Sequence, residues 1–185
     1  MKKIALKVFT FSFLLASYST NAQSKIITIN DFGDKEMLQL EKNAPKDGWI
    51  LVKYNQDQVL INFSNKDYVL FWAANCTNPK YLIKYSNHYR DGDFGGLDYA
   101  SSAHNSHSKT VFLIDGKEFK EPFTTKNNLP IFQEALKKGK KMTISFFDNE
   151  FDPNEGEDIL KLNRSIDFKL NNSELLDEKS GCKTD

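Results

Sequence analysis

Apolar residues fall in short runs along this chain, each bounded by a brief polar turn, and that spacing predicts strands. WILVKY (49–54), QVLINF (58–63), YVLFWAA (68–74) and YLIKY (81–85) follow one another closely. Within QVLINF, Val59, Ile61 and Phe63 alternate with Leu60 and Asn62. YVLFWAA is apolar on both faces, so it should be a central strand covered on both sides. Strands this closely spaced form an antiparallel meander. KIITIN (25–30) precedes them, and TVFLI (110–114), MTISFF (142–147) and SIDFKL (165–170) follow. Asp115-Gly116 is a tight hairpin signal that returns the chain through Lys117-Glu118-Phe119.

One helix is well signalled, over 128–138. Asn128 is its expected N-cap, Pro130 lies in the first turn and Gly139 stands just past the end. Leu129, Phe132, Ala135 and Leu136 share a face, and Lys137 and Lys138 complement the carboxyl end. A weaker helical signal covers Asp31 to Asn43, with Asp34 as its cap, and a single helical turn is expected over Asn172 to Asp177. Residues 86–108 read as a long loop with a short strand near Leu97–Tyr99. The stretch DNEFDPNEGED (148–158) reads as an acidic, turn-rich loop. The predicted fold is mainly β: an antiparallel β-sandwich or twisted sheet with one or two short helices.

The first 22 residues stand apart. Lys2, Lys3 and Lys7 precede the apolar run VFTFSFLLA, and Thr20-Asn21-Ala22 places small residues where a signal peptidase reads. This is the layout of a secretory signal peptide cut after Ala22. The apolar run is well short of the roughly 20 residues that span a bilayer, which argues against a membrane anchor. The expectation is a single β-rich domain over 23–185, periplasmic or secreted, with no stable membrane insertion.

Composition sharpens this picture. The 185 residues carry 25 basic and 25 acidic side chains. The signal segment removes three lysines and no acid, so the exported chain is acidic. No basic excess exists to neutralise phosphates, which excludes a nucleic-acid binder. With 15 Phe, 7 Tyr and 2 Trp, there is ample core material. Both cysteines, Cys76 and Cys182, lie in the exported part, and an even count in an oxidising compartment favours one disulfide.

Catalytic chemistry has little to rest on. No nucleophile elbow, zinc-protease helix, phosphate loop or dinucleotide fingerprint is present. His88, His104 and His107, with Asp91 and Asp93 nearby, offer metal donors, but a run of Ser, Asn and Gly gives them no rigid support, so they read as solvated loop histidines. Asp91-Gly92-Asp93 resembles the start of a calcium loop, yet Ser102 stands where its bidentate acid belongs. The acids of 148–158 could hold calcium, or keep a strand edge from pairing. No cofactor is called for.

The aromatic residues divide. Trp49, Phe63, Phe71 and Trp72 lie in predicted strands and read as core. Tyr81, Tyr85, Tyr89, Phe94 and Tyr99 lie toward or inside the long loop, either as contact residues or as staples holding it to the sheet. Tyr89, Arg90, Phe94 and Tyr99 are the candidate binding residues.

From Tyr68 to Cys182 the chain resembles the VasI-like periplasmic accessory proteins associated with type VI secretion. An apolar strand ends in Asn75-Cys76-Thr77, and an aromatic strand (Tyr81–Tyr85) and Arg90-Asp91-Gly92 follow. Then come a hairpin, Phe123, a helix (Leu129–Lys138), the strand Ile166–Leu170, and Leu175, Leu176 and Cys182. The chain lacks a cysteine-bearing segment ahead of the first strand and a tryptophan after Arg90-Asp91-Gly92. The resemblance implies a small exported sandwich. Together these readings predict a non-catalytic accessory protein that binds another envelope or secreted protein. An immunity or inhibitor protein that blocks a toxin or hydrolase, and a small metal- or carboxylate-dependent hydrolase, are the competing expectations.

Overall fold

Short apolar runs joined by tight turns pair with their neighbours in sequence, and the computed structural model shows this meander. It describes residues 25–31, 33–54, 57–74, 81–87, 98–101, 107–122 and 127–177. In chain order the elements are β1 (Ile26–Ile29), α1 (Asp34–Asn43), β2 (Trp49–Tyr54), β3 (Asp57–Asn62), β4 (Tyr68–Ala74), β5 (Tyr81–Asn87) and β6 (Asp98–Tyr99). Then follow β7 (Lys109–Ile114), β8 (Lys117–Phe119), α2 (Asn128–Lys138), β9 (Lys141–Asp152), β10 (Glu157–Lys169) and a 3-10 turn (Ser173–Asp177). One sheet has the order β1-β2-β3-β4-β5-β6 and the other β10-β9-β7-β8. The fold is mainly β, as expected. One pairing is not antiparallel: β1 runs parallel to β2. The intervening α1 supplies the crossover that parallel neighbours need.

Alternation divides the first sheet between two cores. Trp49, Leu51, Leu60, Leu70, Trp72, Ile83 and Tyr85 face the second sheet, which answers with Phe112, Ile114, Met142, Ile144, Phe146, Ile166 and Phe168. Phe132 and Leu136 of α2, and Leu175 and Leu176 of the 3-10 turn, close this core. The Phe132 ring stacks on Trp72 with centroids 6.0 Å apart and meets Phe112 edge-on at 5.3 Å. On the other face, Ile50, Val52, Ile61, Phe63 and Val69 are covered by Met37 and Leu40 of α1 and by Ala44, its C-cap. Val69 and Leu70 of β4 are both fully buried, one in each core, so the doubly covered strand is where the sequence placed it.

The helix ends differ in detail from expectation. α1 is capped by Gly33, and Asp34 is its first helical residue. α2 spans the predicted residues, but Asn127 is its N-cap, while Asn128 donates from Nδ2 to the carbonyl of Glu121 at 3.0 Å. Gly139 follows α2 in extended conformation. It is required there by space, since a Cβ would sit 2.4 Å from Cγ2 of Ile114.

The largest departure is at 148–158. These residues do not form a loop. β9 continues through Asp152 and β10 begins at Glu157, with Asp148 opposite Lys161 and Glu150 opposite Ile159. Only a four-residue turn remains, with Gly156 at φ +74. The acids fit strands here because they are exposed and because Lys161 pairs with Glu150 at 2.7 Å. Strand preference follows surroundings more than residue type. The result is a two-stranded arm beyond the sandwich.

Candidate functional site

The arm begins at a polar cluster. His107 precedes β7, Asp148 lies on β9 and Arg164 on β10, all in the second sheet, and Tyr85 reaches them from β5 of the first. His107 Nδ1 lies 2.6 Å from Asp148 Oδ1. Its Nε2 is 3.3 Å from a terminal nitrogen of Arg164, which also donates to the Tyr85 hydroxyl at 2.7 Å. A guanidinium offers no acceptor. The Arg164 contact is therefore a hydrogen bond only if Nε2 presents its lone pair, which places the ring proton on Nδ1, facing Asp148. Asp148 accepts a second hydrogen bond from Asn163 Nδ2 at 2.7 Å. The His107 hydrogen bond is the main force holding the Asp148 carboxyl below its ordinary value; burial opposes it and Asn163 assists.

Arg164 also sits over two aromatic faces, 5.6 Å from the Tyr85 ring centroid and 5.1 Å from that of Phe146. Cation–π attraction of this kind is strongest where water is excluded. The cluster thus ties both sheets together where the arm leaves them.

Beyond it, a bulge reverses the arm's faces. Arg164 pairs with Phe146 and Leu162 with Phe147, leaving Asn163 as the extra residue. Arg164, Ile166 and Phe168 face the core, whereas Leu160 and Leu162, of the same parity, face outward beside Phe147, Asn149 and Phe151. Phe151 is 60% exposed, Leu160 50% and Leu162 52%. Large apolar side chains on one face at this exposure form a patch rather than scattered surface hydrophobes.

The outer edge of the arm is open as well. Asn149 donates its N–H to Ser108 Oγ at 3.2 Å, away from β10. Its partner Leu160 is therefore in a non-hydrogen-bonded pair, and the backbone N–H and C=O of Asp158, Leu160 and Leu162 point to the free edge. Farther along, the β3–β4 turn covers that edge. Lys169 donates its N–H to Ser64 Oγ, Asn65 Nδ2 donates to the Asp167 carbonyl, and buried Asn62 donates to the Lys169 carbonyl at 2.7 Å. Among the described residues nothing comparable covers residues 158–162.

The sequence-based candidates fare differently. Tyr89, Arg90, Phe94, His88, His104, Asp91, Asp93 and both cysteines, Cys76 and Cys182, lie outside the described residues. Tyr99 is placed by its backbone alone, on β6 opposite Lys84. Tyr85 is a core residue, 2% exposed, rather than part of a loop surface. His107 is not a solvated loop histidine, since its side chain is only 8% exposed and pairs with Asp148. Arg164 had a legible signal, because it shares the alternation of Ile166 and Phe168. The arm's patch had none, because the bulge that turns it outward breaks that alternation. Asp148, Glu150, Asp152 and Glu157 share one face of the arm and Asp158 lies on the other, and among the described residues no three His, Cys, Asp or Glu side chains converge as a metal site. No helix among those residues is long and apolar enough to cross a membrane.

Comparison of the chain with protein-family models, with curated proteins and with solved structures finds no match.

Proposed function

We propose that this is a non-catalytic, exported accessory protein of the bacterial envelope, linked to a secretion system, that captures another protein on the outward face of the β9–β10 arm. The observation that carries this reading is the exposure of Phe151, Leu160 and Leu162 on one face of an arm anchored at its foot. An anchored arm loses little conformational freedom on binding, which favours affinity. Aromatic and aliphatic side chains are the usual anchors of protein interfaces. Export rests on residues 1–22, and the secretion link on the VasI-like pattern from Tyr68 to Cys182. Tyr89, Arg90, Phe94 and Tyr99 add a second contact surface in this reading.

Capture from the envelope fraction tests it, comparing the mature protein with a Phe151→Ser, Leu162→Ser variant. A specific partner should be retained by the first and lost by the second at equal thermal stability. Equal capture by both would remove the arm from the function.

A further inference from the structure

We propose that the open edge of β10 pairs with β10 of a second copy, antiparallel about a twofold axis through Ile159. The pairing deepens the binding reading and rests on the same exposed arm.

Three observations select this occupant. First, the N–H and C=O groups of Asp158, Leu160 and Leu162 point to the free edge, and an unpaired row of this kind is a template for another strand. Second, the segment Glu157-Asp158-Ile159-Leu160-Lys161 is complementary to its own reverse. With Ile159 facing its symmetry mate, Glu157 of each copy lies opposite Lys161 of the other, twice, on the same face as Ile159. Third, hydrogen-bond parity permits this register. Asp158 and Leu160 of opposite copies become hydrogen-bonded pairs, while Ile159 meets Ile159 in a non-hydrogen-bonded pair, where side chains come closest. A twofold axis normal to the sheet preserves each face, so only registers centred on a residue are allowed. Centring on Leu160 would set Glu157 against Asn163. Centring on Lys161 would set two lysines together.

Lys161 is the kind of residue that normally blunts an edge. Here it gains an acid on each side, Glu150 of its own chain and Glu157 of the other copy. The two four-stranded sheets become one of eight strands. The Leu160 side chains then lie diagonally across the axis, so the outward apolar faces become continuous and the partner-capturing surface is doubled.

Disulfide trapping and sedimentation of the purified mature protein test the pairing. Ile159→Cys should form a covalent dimer under mild oxidation, because a non-hydrogen-bonded pair brings Cα atoms to about 4.5 Å, within disulfide reach. Leu160→Cys and Lys161→Cys should cross-link several-fold less. Leu160→Pro removes an edge-facing N–H without touching the β9 ladder and should sediment as a monomer. Lys161→Glu should weaken association about tenfold, and adding Glu157→Lys should restore it. The proposal is overturned if wild-type protein stays monomeric up to about 1 mM, the weak end of specific association. It is equally overturned if Leu160→Cys or Lys161→Cys links as readily as Ile159→Cys. If Leu160→Pro does not fold, the charge exchange and the trapping decide alone. Sedimentation needs no partner, so a monomeric result leaves envelope capture standing, and a failed capture leaves the dimer standing.

Discussion

His107 and Asp148 meet at 2.6 Å where the β9–β10 arm leaves the sandwich. The imidazole comes from the segment before β7 and the carboxylate from β9, so their contact fixes the foot of the arm. Because the Asp148 carboxyl is held below its ordinary value, chiefly by that contact, its charge stabilises the fold. The contribution is present above the unfolded carboxylate value of about 4 and is lost as pH falls through the lower folded value. Asp148→Asn should therefore melt at a lower temperature at pH 7 and lose less on further acidification below about pH 4. Thermal melts from pH 7 to pH 3 measure both effects. Parallel pH profiles for the two proteins would refute the assignment.

Phe132 joins α2 to both sheets through Trp72 and Phe112. It is 1% exposed, so truncation leaves a cavity that the surrounding rings cannot fill. Phe132→Ala should cost about 3–5 kcal/mol in chemical denaturation and alter the near-ultraviolet signal of the stacked tryptophan. A loss below about 1 kcal/mol would mean that α2 contributes little to the core.

Asn62 is a fully buried polar side chain on a core-facing position. It accepts from the Ser64 N–H at 2.9 Å and donates to the Lys169 carbonyl, linking the two sheets. Asn62→Leu should destabilise by about 1–3 kcal/mol, since it strands both backbone groups. Ser64→Ala, which removes the neighbouring exposed acceptor of the Lys169 N–H, should cost less than about 1 kcal/mol. Urea titrations of the two variants should separate them clearly.

The expected Cys76–Cys182 disulfide lies outside the described residues and is tested in solution. β4 ends at Ala74, two residues before Cys76, and Trp72 within it stacks on α2. Toward the other cysteine, the 3-10 turn is held to the same helix: Gln133 Nε2 donates to the Leu176 carbonyl and Ser173 Oγ to the Lys137 carbonyl. The mature protein should react with a thiol reagent only after reduction. Replacing both cysteines with serine should lower stability by up to about 4.7 kcal/mol, the chain-entropy value for a closed loop of about 100 residues. Free thiols in the unreduced protein would exclude the bridge.

How much of this was legible depends on the range of the interactions. Apolar runs bounded by polar turns, the Asp115-Gly116 turn and the Pro130 and Gly139 punctuation of α2 are local, so β2, β4, β7, β8 and α2 were found nearly to the residue. The weak α1 signal reflects how few contacts it needs: Met37, Leu40 and Ala44 suffice because the β-sheet face beneath them supplies the rest. The acidic arm was misread because Asp, Asn and Gly locally favour turns, whereas the pairing of β9 with β10 is set by the partner strand.

The sequence by itself determined the class of fold and the lack of a basic excess, because each is written in composition or short-range pattern. Tertiary structure alone decided that β1 runs parallel, that His107, Asp148, Arg164 and Tyr85 meet, and that Leu160 and Leu162 face solvent. Those outcomes depend on register, and a single extra residue at Asn163 exchanges the faces of a strand without leaving a mark in hydrophobic content.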